Sequence, residues 1–156
     1  MESVGLKEWA LVCEALGRGE QKVILRKGGL AEGRGGFSFR HDAFFLVPTY
    51  FHEQLEKTRL RDVELPPHRP GEIEIRYHAR VERAEFITTW SEVEALEPLH
   101  VLTSDVVRDR FGCGKAAGLH VAWVRVSRLE QPWILAELAS YRGCKSWIDL
   151  PEHVAQ

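Results

Sequence analysis

Cysteine is scarce and unpatterned in this chain. Cys13, Cys113 and Cys144 are odd in number, far apart and free of C-x-x-C spacing, which argues against a disulfide framework and a zinc knuckle and leaves them as buried or idle thiols. No apolar run approaches the roughly 20 residues of a membrane-spanning helix. Met1-Glu2-Ser3 lacks the basic start and apolar stretch of an export signal, so the expected location is the cytoplasm, with no membrane partner. There is no HExxH, no paired Cys/His spacing and no GxSxG, so no metal, no cofactor and no catalytic nucleophile is expected. Glu20-Gln21-Lys22 has E-x-K spacing, but no aspartate precedes it, and a restriction-type nuclease core is thereby incomplete.

What is present reads as one domain over residues 1–156. At 44% hydrophobic and 28% charged, a chain of this length buries enough surface to fold without staples. The net charge of −2 hides an uneven spread. Residues 18–40 carry Arg18, Lys22, Arg26, Lys27, Arg34 and Arg40 against Glu20 and Glu32, a local net charge of +4. Near-neutrality overall therefore does not exclude an anionic partner.

The spacing of Leu6, Trp9, Ala10, Cys13 and Leu16 predicts an opening amphipathic helix, capped by Ser3 and stopped by Gly17 and Gly19. Val23-Ile24-Leu25 predicts a strand. Five glycines in the nine residues 28–36 follow it as a pliable loop. Phe37, Phe39 and the run Phe44–Val47 are expected to pair back on that strand, with Thr49 capping a short helix that turns Phe51 and Leu55 inward. Leu65–Gly71, with three prolines, reads as a stiff connection.

Residues 72–87 alternate strictly. The apolar phase slips by one at Arg83, since Ala84 and Phe86 occupy even positions, and such a slip demands a β-bulge. Ser91 and Glu94 form a capping box for a short helix, a second helix starts near Thr103 or Ser104 and stops at Gly112, and Val121–Val126 reads as a central strand that Pro132 closes. The expected fold is α+β: a mostly antiparallel bent sheet or small pseudobarrel with short peripheral helices.

Two regions carry chemistry. Arg26, Lys27, Gly28, Gly29, Glu32 and Arg34 combine bases at a strand end with unhindered backbone N–H groups, which suits an anion, although neither P-loop nor dinucleotide spacing is present. His41, Thr49, Tyr50 and His52 offer a helix start with a stacking face, and Tyr141, Arg142 and Trp147 pair aromatics with a base. A flexible charged turn and ordinary core packing of Trp147 are the competing readings of these residues.

Lys7-Glu8-Trp9, the run Ile24–Glu32, Pro48–His52 and Tyr141–Trp147 together resemble a bacterial family known as domain of unknown function 1802, across roughly residues 4–150. Some members look joined to restriction-endonuclease-like domains, so the resemblance implies restriction or defence work and an endonuclease partner by association. The second half is similar to the PUA and ASCH pseudobarrels, which implies binding of RNA or modified bases. The expected function is a non-catalytic nucleic-acid or nucleotide binding module. Two alternatives stay open: a phosphate-ester hydrolase or nuclease using Lys27, Glu32, His41 and His52, and a protein-interaction adaptor.

Overall fold

Residues 3–27, 37–112 and 117–153 are described by a computed structural model. The chain opens as a strand, β1 (Val4–Trp9), and only then turns into the helix α1 (Ala10–Arg18). The helical spacing over residues 6–16 is genuine only from Ala10 onward. Leu6 and Glu8 point to one face of β1 and Lys7 to the other, and tertiary pairing with a later strand outweighs local propensity. Gly19 ends α1 in the left-handed region at φ 78°. Gly17 lies inside the helix, where any Cβ would stand 2.3 Å from the Tyr77 ring.

The remaining strands are β2 (Val23–Lys27), β3 (Ala43–Thr49), β4 (Glu72–Ile87), β5 (Leu119–Ala136) and β6 (Trp147–Asp149). They form one six-stranded sheet in the order β2-β5-β4-β3-β1-β6. Among the described residues, β1 and β3 alone pair in parallel. The run Phe44–Val47 thus pairs with β1 and β4, not with β2 as its sequence neighbourhood predicts. Short helical pieces flank the sheet, among them α2 (Trp90–Glu94), α3 (Ser104–Phe111) and a 3₁₀ turn at His52–Leu55.

The long strands β4 and β5 bend at two register shifts. One lies between Val81 and Arg83, where Glu82 is the extra residue, and this is the slip that the alternation demands. At the other, residues 129–132 of β5 lie opposite the single residue Arg76. Pro132 sits in this bulge, where no ladder donor is required, so β5 runs through it instead of ending. Three expected caps are also replaced. Ser3 precedes β1, far from the start of α1, and its hydroxyl accepts from His153 N–H (3.2 Å). Thr49 stays in β3 and donates its hydroxyl to the Glu8 carbonyl (3.3 Å). Glu94 accepts from the Trp90 indole (3.2 Å), so no capping box forms at Ser91. Thr103 and Gly112 cap α3 as expected.

The curl of the sheet brings the outer strand β2 toward β1 without a backbone ladder between them. β6 pairs with Val4–Leu6 alone, and Arg26 reaches from β2 to donate to the Lys7 carbonyl. Its guanidinium lies 3.9 Å from the buried Glu8 carboxylate. Arg110 of α3 donates to the Leu25 carbonyl (2.7 Å) and lies over Trp9. Burial pushes the Arg110 guanidinium down to about 10, against the pull of Glu8. Two arginines and one carboxylate therefore tie β2 and α3 to β1 in a seam across an open six-stranded sheet.

Candidate nucleic-acid interface

The alternation of β1, β3 and β6 divides the candidate residues between two faces. Leu6, Leu46 and Trp147 are register partners and belong to the larger core, on the concave side. Lys7 and Val47, with Ile148 one place along β6, look the other way, toward a second apolar cluster that includes Ile73 and Tyr141.

On the concave side, Arg26, His120 and Phe86 are register partners across β2, β5 and β4, which sets their side chains in one row. The Phe86 ring is 48% exposed, lies 4.6 Å from His120, and covers Gly118 so closely that a Cβ there would stand 2.2 Å from it. The row continues to Phe37, 5.7 Å from His120, and then to Trp147, whose ring is parallel to that of Phe37 within 7° at 6.0 Å. His41 closes the ribbon 4.8 Å from Trp147, and Phe39 meets the edges of both Phe37 and Trp147. Trp147 is fixed by its indole N–H, which donates to the Ser38 carbonyl (3.0 Å). Burial holds the His120 imidazole below its usual range, favouring the uncharged ring.

Arg26 sits 5.8 Å from the Phe37 ring. Its guanidinium is engaged by Lys7 and Glu8, with the Nε atom buried and unpartnered among the described residues. Lys27, at the exposed end of β2, and Arg40, beside His41, stand in solvent. The structure thus gathers Arg26, His41 and Trp147 along one ribbon. Gly28, Gly29, Glu32 and Arg34, and likewise Cys113, lie outside the described residues.

Thr49, Tyr50, Tyr141 and Arg142 meet elsewhere, in a cleft of about 280 Å³. The cleft opens where β3 and β4 are no longer paired, since their ladder stops at Phe45 and His78. Val47 and Ile73 form its floor, and the proline-rich segment ending at Gly71 forms its rim. Gly71 adopts φ 81° and its carbonyl accepts from Glu137 N–H (2.8 Å), which locks the rim to the end of β5. His68 lies flat on Tyr50, 3.9 Å between centroids and 12° between planes. Burial pushes the Tyr50 phenol up to about 12. Lys7 donates to the Gly143 carbonyl (2.8 Å), and its ammonium is held below the usual lysine range by burial and then by Lys145.

His52 stands exposed on the 3₁₀ turn and lines neither feature. The turn serves Gln54, fully buried, which accepts from Leu11 N–H and donates to the carbonyls of Thr49 and Phe51, so fixing the exit of β3 next to Tyr50. Sequence reading missed Phe37, Phe86 and His120 on the ribbon and Lys7, His68 and Arg69 in the cleft. Lys7 was placed on a helix surface. His68 and Arg69 were hidden in a stretch whose prolines signal only stiffness. Among the described residues, no three His, Cys, Asp or Glu side chains gather as a metal site, and no helix is long and apolar enough to cross a membrane.

This architecture is that of the ASCH fold. The ASCH protein of Zymomonas mobilis superimposes with a TM-score of 0.59 at 12% identity, over 97% of this chain and 89% of that one. A tyrosine-to-phenylalanine mutant of that protein gives 0.55 at 13% identity, over 97% of this chain and 92% of that one. At such identity the likeness defines the fold alone. A family model, the domain of unknown function DUF1802, matches residues 5–156, and the chain belongs to that family. No curated protein matches the sequence.

Proposed function

We propose that this protein is a non-catalytic module that binds single-stranded nucleic acid, RNA foremost, along the concave-side ribbon. The observation that carries the reading is the row of partly exposed rings, His41 on Trp147 and His120 on the exposed Phe86, laid over the buried Phe37. The solvent-reaching parts of His41, Trp147, His120 and Phe86 offer faces and edges to unpaired bases whatever their sequence, each stacked base contributing about 1–3 kcal/mol, while Phe37 backs them from the core. Lys27 and Arg40 supply phosphate contacts, because Arg26 is held by Glu8 and the Lys7 carbonyl. The ASCH-type fold, grouped with PUA-like RNA-binding folds, supports the choice of RNA.

The test is fluorescence anisotropy with labelled 12-nucleotide RNA and DNA strands at low salt. Saturable binding is expected, weakened at least tenfold by Trp147→Ala. Absence of binding to either strand, or binding indifferent to Trp147→Ala, would overturn the proposal.

No observation favours the hydrolase alternative, since His41 packs on Trp147 while His52 stands on the exposed turn. Of the exposed large apolar side chains, Phe86 covers Gly118 within the ribbon, Ile134 lines a groove beside Arg69 and Arg76, and Leu138 follows the end of β5; nothing on them specifies a protein partner. A link to restriction endonucleases or defence rests on the family resemblance alone.

A further inference from the structure

The cleft behind β1 is a concavity that strand binding along the ribbon does not use. We propose that it is a separate site for one nucleotide carrying a 5′-phosphate, taken as the free nucleoside monophosphate. Its volume of about 280 Å³ falls just below the range of about 300 to 1,000 Å³ usual for ligand sites, and suits a single nucleotide rather than a longer ligand.

Each part of such a ligand has a counterpart. The Tyr50–His68 stack presents a planar face for the base. Lys7, Arg69 and Arg142 set three cations against Glu72 and Glu137, a surplus of one positive charge around the cleft. Arg142 is only loosely engaged, 3.7 Å from Glu137, and is exposed, so its fork is available to phosphate. Lys7, partly buried and crowded by Lys145, is a cation without a carboxylate partner among the described residues, and an arriving phosphate relieves that repulsion. Glu72 and Glu137 are acceptors for the ribose hydroxyls.

Calorimetric titration of the full chain tests this with nucleoside monophosphates, the matching nucleosides, inorganic phosphate and a 5′-phosphorylated hexanucleotide. One-to-one binding of a monophosphate is expected, at least tenfold tighter than nucleoside or phosphate alone. Lys7→Met and Arg142→Gln, both at side chains outside the main core, are each expected to weaken it at least fivefold, whereas Trp147→Ala leaves it unchanged. Four results would overturn the proposal: no monophosphate binding, inorganic phosphate binding as tightly as the nucleotides, a hexanucleotide that fills the cleft when the monophosphate does not, or binding lost in Trp147→Ala and kept in both cleft variants. Because the two faces answer to different variants, loss of strand binding alone leaves the cleft site standing, and the converse holds too.

Discussion

Lys7 belongs to both faces of the sheet, and the two halves of this one residue show how they differ. Its carbonyl accepts from Arg26 at the seam of the concave side, whereas its ammonium reaches the cleft and the Gly143 carbonyl. On the concave side, charge serves structure: Glu8 holds Arg26 and faces Arg110 in the seam, and partly exposed rings are left as the presented surface. In the cleft, strands left unpaired beyond Phe45 leave a hollow whose cations are loosely held. A basic residue next to glycines is therefore no guide to a free cation. What decides is whether the fold needs that side chain to tie its own elements together.

The largest test of this contrast is Glu8→Ala. Removing a fully buried carboxylate leaves two guanidiniums facing each other, and urea denaturation is expected to show a loss on the order of 3–5 kcal/mol. Lys7→Met, by contrast, should cost well under 1 kcal/mol, because only an exposed hydrogen bond is lost. Equal losses would erase the distinction between structural and presented charge.

His100 acts on the concave side from behind. It is buried, its Nδ1 accepts from Leu102 N–H (3.1 Å), and the neighbouring Leu99 carbonyl accepts from Lys22 N–H just before β2. Burial, then Arg59 and Arg110, lowers its imidazole to about 4. The unfolded chain, titrating near 6.5, binds more protons between those values, so stability is complete above about pH 6.5 and declines as pH falls toward 4. The decline is at most about 3 kcal/mol, and it should flatten in His100→Asn when thermal midpoints are followed across that window.

Smaller effects sharpen the comparison in binding. Trp147→Ala is expected to cost strand affinity at least tenfold, within the range of about 1–3 kcal/mol for a stacked base, while Tyr50→Leu leaves strand affinity unchanged and abolishes discrimination of nucleotide from phosphate. Replacing Lys27 and Arg40 together by Gln should lower the dependence of log affinity on log salt by about 1–2 for single strands. An unchanged salt slope would remove both residues from the interface.

The long strand of residues 72–87 and its slip at Arg83 were legible because alternation over many residues leaves no other reading. The helix α3 was legible from its two caps. Val4–Trp9 was not, because Leu6 and Trp9 fit the helical phase of Ala10–Leu16, and only pairing with Ala43–Thr49 makes them a strand. The same mistake concealed Lys7 as a cleft residue. Arg26 was legible as a cation and illegible as a clamp, since its partner Glu8 lies 18 positions away in a strand that sequence placed on a helix. His41 and Trp147 meet only because β6 returns beside β1.

The division of labour between the faces is tested most directly by heteronuclear NMR, following the Trp147 indole N–H while the protein is titrated first with a nucleoside monophosphate and then with a single-stranded RNA. The indole signal should stay still in the first titration, with changes confined to the backbone around Lys7, Tyr50 and Arg142, and move in the second. An indole that shifts with the mononucleotide, or stays fixed while RNA perturbs the cleft, would contradict the assignment of strand binding to the concave side.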